Sequence, residues 1–143
     1  MADLYETDIL VWSEQQSDLL RRMARGERVN DQIDWQNVAE EVEAVGRSER
    51  RACESYILQA LVHDLKIKAW PESAEVPHWR IEAHSFRYEA AKAFTPSMRH
   101  RIDMGALYRE ALRRLPPAID GRPPLSVPQV CDVTLDAMLI ETE

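Results

Sequence analysis

Residues 35–69 read WQNVAEEVEAVGRSERRACESYILQALVHDLKIKA, and this stretch decides the fold. Trp35, Val38, Ala39, Val42 and Val45 recur at helical spacing and form one apolar face. The pattern continues in phase through Ala52, Cys53, Tyr56, Ile57, Ala60 and Ile67. Asp34 precedes it as an N-cap, and Trp70-Pro71 ends it. Phase continuity predicts one helix from Trp35 to about Ala69. Drawn straight, it would span roughly 52 Å. A compact chain of this size has a diameter of only roughly 37 Å. A bend or break is therefore expected at Gly46, with Ser48 as a possible new cap. Tyr56–Ala69 is apolar nearly all round and is expected to be the central, most buried helix.

Proline placement organises the rest. None of the 8 Pro precedes Pro71, and five fall between Pro116 and Pro128. A first helix is predicted over Thr7–Arg25, capped by Thr7 or Asp8 and stopped by Gly26. A third runs over His78–Phe94 with Trp79, Ala83, Phe86, Ala90 and Phe94 as its buried stripe. A fourth runs over Pro96–Leu115, starting from Thr95-Pro96. Residues 116–133 read as a proline-stiffened connector to a short last helix, Thr134–Ile140. Leu125–Val133 could form a strand, but one isolated strand has nothing to pair with. The expected fold is all-α: residues 1–143 as a single bundle of four main helices plus a short C-terminal one.

Composition bounds the function. The chain has 143 residues, 45% of them hydrophobic, which is enough for one core and too apolar for disorder. No apolar run approaches the roughly 20 residues of a membrane span, and the acidic start is not a secretory signal. Two Cys, Cys53 and Cys131, make neither a disulfide framework nor a zinc motif. The expectation is a cytoplasmic protein with no membrane partner. The net charge of −7 weighs against a nucleic-acid binder. The charge is uneven, however: residues 1–46 hold eleven acidic and four basic groups, while residues 47–127 hold ten and fourteen. Arg99, His100, Arg101, Arg109, Arg113 and Arg114 give the fourth helix a basic face. Its plainer reading is a solvated face that pairs with the acidic N-terminal half.

Several stretches resemble a known family. They are Tyr5-x-x-Asp8-x-x-x-Trp12, then Asp34-Trp35-x-x-Val38-Ala39-Glu40-Glu41-Val42-Glu43-x-x-Gly46-Arg47-Ser48-Glu49-Arg50-Arg51, then Leu61-x-His63-x-Leu65 and Trp79. The chain resembles the domain of unknown function 29 family, small bacterial proteins, over nearly its whole length. The resemblance implies an all-helical single domain and no assigned activity. Asp8, Trp12, Trp35, Glu40, Glu41, Glu43, Gly46, Arg47, Ser48, Glu49 and His63 are the positions that carry it.

One polar constellation stands out from the residues themselves. On a continuous helix Glu49, Tyr56 and His63 stand seven apart on one core-facing meridian, with Asp64 close by. Glu41 and Glu43 flank that face, and Asp8 could approach from the first helix. Inward-facing carboxylates and imidazole are how helical bundles build metal sites, so His63, Glu49, Glu41, Glu43 and Asp8 are the candidate ligands. Each seven-residue step spans about 10 Å, so Glu49 and His63, two steps apart, cannot share an ion on a straight helix. The competing reading is a buried hydrogen-bond network in which Glu49 meets Arg47 or Arg50. There is no phosphate loop, nucleophile elbow or paired-His motif, so no cofactor is expected, a metal being the one possibility left open. The favoured function is a helical binding or regulatory module, contacting a protein partner or a second copy. The alternative is a metal-dependent hydrolase using His63 with nearby carboxylates.

Overall fold

The computed structural model describes residues 3–139. These form α-helices and two short 3-10 turns, with no strand among the described residues. The backbone packs as two compact units, Met1–Arg47 and Ser48–Glu143.

In the first unit, a short α1 (Leu4–Thr7) precedes α2 (Ile9–Ala24), the expected first helix. Asp8 is its cap. Its backbone is non-helical (φ −151°, ψ 84°), and its carboxylate accepts from the Val11 N–H at 3.2 Å, capping α2. Gly26, at φ +94°, supplies the left-handed stop. A 3-10 turn, Asn30–Gln32, leads to the start of α3 (Trp35–Ala69). Trp12, Val29 and Ile33 are the buried residues here, and the Tyr5 ring meets Trp12 edge-on at 4.8 Å.

The expected break at Gly46 does not occur: α3 is helical from Trp35 to Ala69. A mid-helix glycine costs only about 1 kcal/mol relative to alanine. A break would forfeit several backbone hydrogen bonds. Arg47 also brackets the site, reaching back to Glu40 at 2.7 Å and Glu43 at 3.6 Å.

The second unit holds the rest of α3, with α4 (Val76–Ala93), a 3-10 turn at Pro96–His100, α5 (Met104–Arg113) and α6 (Leu135–Met138). Its core gathers Ile57, Leu61 and Leu65 of α3 with Ala90, Tyr108, Ala111 and Met138. The expected fourth helix is shorter than its apolar pattern. Asp103 leaves helical geometry and accepts from the Ala106 N–H at 3.0 Å, so α5 starts only at Met104. Thr134 caps α6 as expected, and Ile140 lies outside the described residues.

The proline-rich connector is held to the bundle. The Trp70 indole N–H donates to the Arg122 carbonyl at 2.9 Å, and Leu125 N–H to the Ala69 carbonyl at 2.9 Å. The Tyr108 hydroxyl donates to the Pro128 carbonyl. Asp120 and Gly121, at φ 54° and 72°, close a tight turn bridged by Ile119 and Arg122. No helix among the described residues is long and apolar enough to cross a membrane.

Candidate functional site

The first unit contains Asp8, Glu40, Glu41 and Glu43. Asp8 is exposed and acts as a cap. Glu41 accepts from the Tyr5 hydroxyl at 2.7 Å. That bond, followed by burial and the charges of Glu41, Glu40 and Glu6, pushes the Tyr5 phenol up to about 12. Glu40 and Glu43 pair with Arg47. The apolar face expected to be buried beside them is open: Trp35 is 52% exposed, Val42 68% and Val45 65%. Periodicity identifies an apolar face but not what covers it, and here nothing among the described residues does.

In the second unit the Glu49–Tyr56–His63 meridian is not uniformly inward. Glu49 is exposed, whereas Tyr56 and His63 are half-buried. Nor does Glu49 meet the expected arginines. Arg47 takes Glu40 and Glu43, and Arg50 lies beside Glu54 at 3.0 Å, with its Nε–H too poorly aligned for a hydrogen bond. His63 Nδ1 lies 2.7 Å from the Gln59 carbonyl. A carbonyl only accepts, so Nδ1 carries the proton, and in the neutral ring Nε2 keeps its lone pair. The ring tilts against Phe86 at 5.5 Å. Glu49 and His63 are fourteen residues apart on one helix, about 21 Å. No group of three His, Cys, Asp or Glu side chains among the described residues is placed to hold a metal ion.

Beside His63, α3 contributes something the spacing argument only touched. Asp64 forms an ion pair with Arg87 of α4, both side chains about three-quarters buried. Burial pushes the Asp64 carboxyl above its ordinary range, against the opposing pull of Arg87, Lys68 and His63. The Arg87 Nε–H is buried and has no partner. A cleft of about 320 Å³ opens here, lined by Asp64, Lys68 and Arg87 over Leu61, Leu65 and Ile67, with Tyr108 and Val133 opposite. Sequence reasoning missed Arg87, yet a signal was present. It lies four residues after Ala83 and three before Ala90, on the buried stripe of α4, where a cation needs a partner.

Elsewhere in this unit the side chains behave as structure. Cys53 is fully buried, and burial pushes its thiol up to about 11. The basic face of α5 pairs locally, Arg113 and Arg114 with Glu110 and, beyond the helix, Arg99 with Asp136.

Fold and side chains define an all-helical protein with a charged cleft at Asp64 and Arg87 and an open apolar face on the first turns of α3. The chain belongs to the family described as domain of unknown function DUF29, whose model matches residues 4–142. It is similar to an alpha-helical protein of unknown function from Rhodospirillum rubrum ATCC 11170, with 30% identity and a TM-score of 0.67. That likeness covers 99% of this chain and 92% of the other. No curated protein matches the chain.

Proposed function

We propose that the chain is a helical binding module that docks a protein partner on the first turns of α3, and that the partner presents a basic amphipathic helix. The observation that carries this is the exposure of Trp35, Val42 and Val45, at 52%, 68% and 65%. With Val38 they fall at 35, 38, 42 and 45, the alternating three-and-four spacing of a seam between two helices. Apolar side chains exposed in register mark contact surfaces more than scattered ones do.

Charge selects the partner. Glu41 lies at the edge of this stripe by helical position, with Asp34 two turns before it, and residues 1–47 hold eleven acidic groups against five basic. A second copy docking through the same face would set these carboxylates against each other, whereas a basic helix would meet them with opposite charge. The test is to titrate the chain with a synthetic Leu/Lys amphipathic helix and with its Leu/Glu counterpart, following Trp fluorescence. The basic peptide should bind and weaken as salt rises, and Val42→Asp with Val45→Asp should cost about tenfold or more. Equal binding of both peptides overturns the proposal. So does a concentration-dependent dimer in sedimentation that Val42→Asp abolishes.

A further inference from the structure

We infer that the cleft beside His63 is a binding site for a small organic anion, a carboxylate or phosphate group carried on an apolar body. The site is independent of the open face on α3. Its volume of about 320 Å³ matches the lower range of small-molecule sites, which helical bundles place between their helices. It is also built in the manner of such sites, largely apolar with a few charged groups at one edge.

Cations outnumber the anion there. Asp64 is the one carboxylate lining the cleft, and Arg87 and Lys68 both line it with Asp64. Lys68 follows Asp64 by four residues, one turn along α3. Arg87 offers a fork of five N–H donors, and Asp64 engages it through Nη2 alone while Nε–H has no partner. Asp64 therefore neutralises one of the two charges and leaves a locus of net +1. An incoming anion can be held by Lys68 and by the guanidinium, beside Asp64 or in its place. Leu61 and Leu65 form an apolar floor for whatever the anion carries. Asp64 suits displacement, because its burial already disfavours the charged form that Arg87 must stabilise.

The probes are octanoate, octyl phosphate and octyltrimethylammonium, added to the full chain and followed by amide chemical shifts and calorimetry. At least one anion should bind with shifts centred on residues 61–68 and 87, and the ammonium should not. Binding by only one of the two anions identifies the head group. Asp64→Asn, which removes the internal competitor, should tighten anion binding about fivefold or more. Lys68→Glu, on an exposed position that leaves the core intact, should weaken it about tenfold. The proposal is overturned if neither anion shifts these residues at about 10 mM, a concentration that detects even millimolar affinity. It is also overturned if the ammonium binds as well as the anions, if Lys68→Glu leaves affinity unchanged, or if folded Asp64→Asn binds no more tightly than the parent. Should Asp64→Asn not fold, the Lys68→Glu comparison alone decides.

Discussion

The Trp12 indole N–H donates to Asp34 Oδ2 at 3.1 Å, and Asp34 Oδ1 accepts from the Asn37 N–H at the start of α3. One carboxylate therefore caps the longest helix and ties α2 to its first turn. Asn37 Nδ2 adds a bond to the same carboxylate at 2.8 Å, and the Asp34 N–H is taken by Gln16 Oε1 at 2.8 Å. Replacing Asp34 with Ala removes the cap and leaves a buried indole donor without a partner. The expected cost is roughly 1–3 kcal/mol, combining a lost cap with an unsatisfied donor. A urea midpoint within error of the parent would show that the capping carboxylate contributes nothing.

The same carboxylate makes stability depend on pH in a definite direction. Hydrogen bonds from Asn37 and then Trp12 outweigh burial and hold Asp34 below its ordinary range. The unfolded chain thus binds the proton more readily than the folded one, and stability rises with pH across the interval. The contribution is complete above the ordinary aspartate value of about 3.9 and is lost as pH falls through the lower folded value. In thermal melts the gap between parent and Asp34→Asn should be widest near neutral pH and should narrow below about pH 4. A gap that stays constant down to about pH 2 contradicts this.

The boundaries of α3 were legible because local chemistry sets them: Asp34 caps, Trp70-Pro71 stops, and the apolar phase never slips between. The cap at Asp8 was legible for the same reason, but the division at Asp103 was not, because apolar periodicity runs straight across it. An aspartate inside such a pattern can cap a new helix or sit in an old one, and the pattern is the same. The burial of Tyr56–Ala69 followed from its all-round apolarity. The exposure of Trp35, Val42 and Val45 did not, since an amphipathic face declares only that it needs cover. The candidate site divides in the same way. His63 sits in the covered half of α3 and is half-buried, whereas Glu49, on the same meridian, is open to solvent. A helix meridian is inward only where another element lies over it. Arg87 escaped notice because its partner Asp64 lies on a different helix, 23 residues away.

The connector offers a test of how far it belongs to the fold. The Trp70 indole is 4% exposed, and its N–H reaches the Arg122 carbonyl across the Asp120-Gly121 turn. Trp70→Phe keeps most of the ring packing and deletes that bond. The Arg122 carbonyl still accepts from the Ile119 N–H at 3.0 Å, so it is not wholly orphaned. The expected loss is about 1–2 kcal/mol, with faster amide exchange at Arg122 and Leu125. Exchange unchanged at both residues would mean that the Trp70 bond does not hold the segment and that its other contacts, Leu125 to Ala69 and Tyr108 to Pro128, suffice.

Gly46 gives the opposite sign. It sits mid-helix, exposed, with no positive φ, and a methyl group built on it meets nothing within 4 Å. Glycine there widens the unfolded ensemble and supplies no turn, close approach or strained backbone in return. Gly46→Ala should therefore stabilise the chain by roughly 0.5–1 kcal/mol. A helix broken at Gly46, as length alone suggested, would respond differently. Alanine would then have to enter a glycine conformation, and the substitution would destabilise. Urea denaturation of the two proteins distinguishes the cases by the direction of the midpoint shift. Helical secondary chemical shifts through residues 44–48 in both proteins would locate the effect in α3.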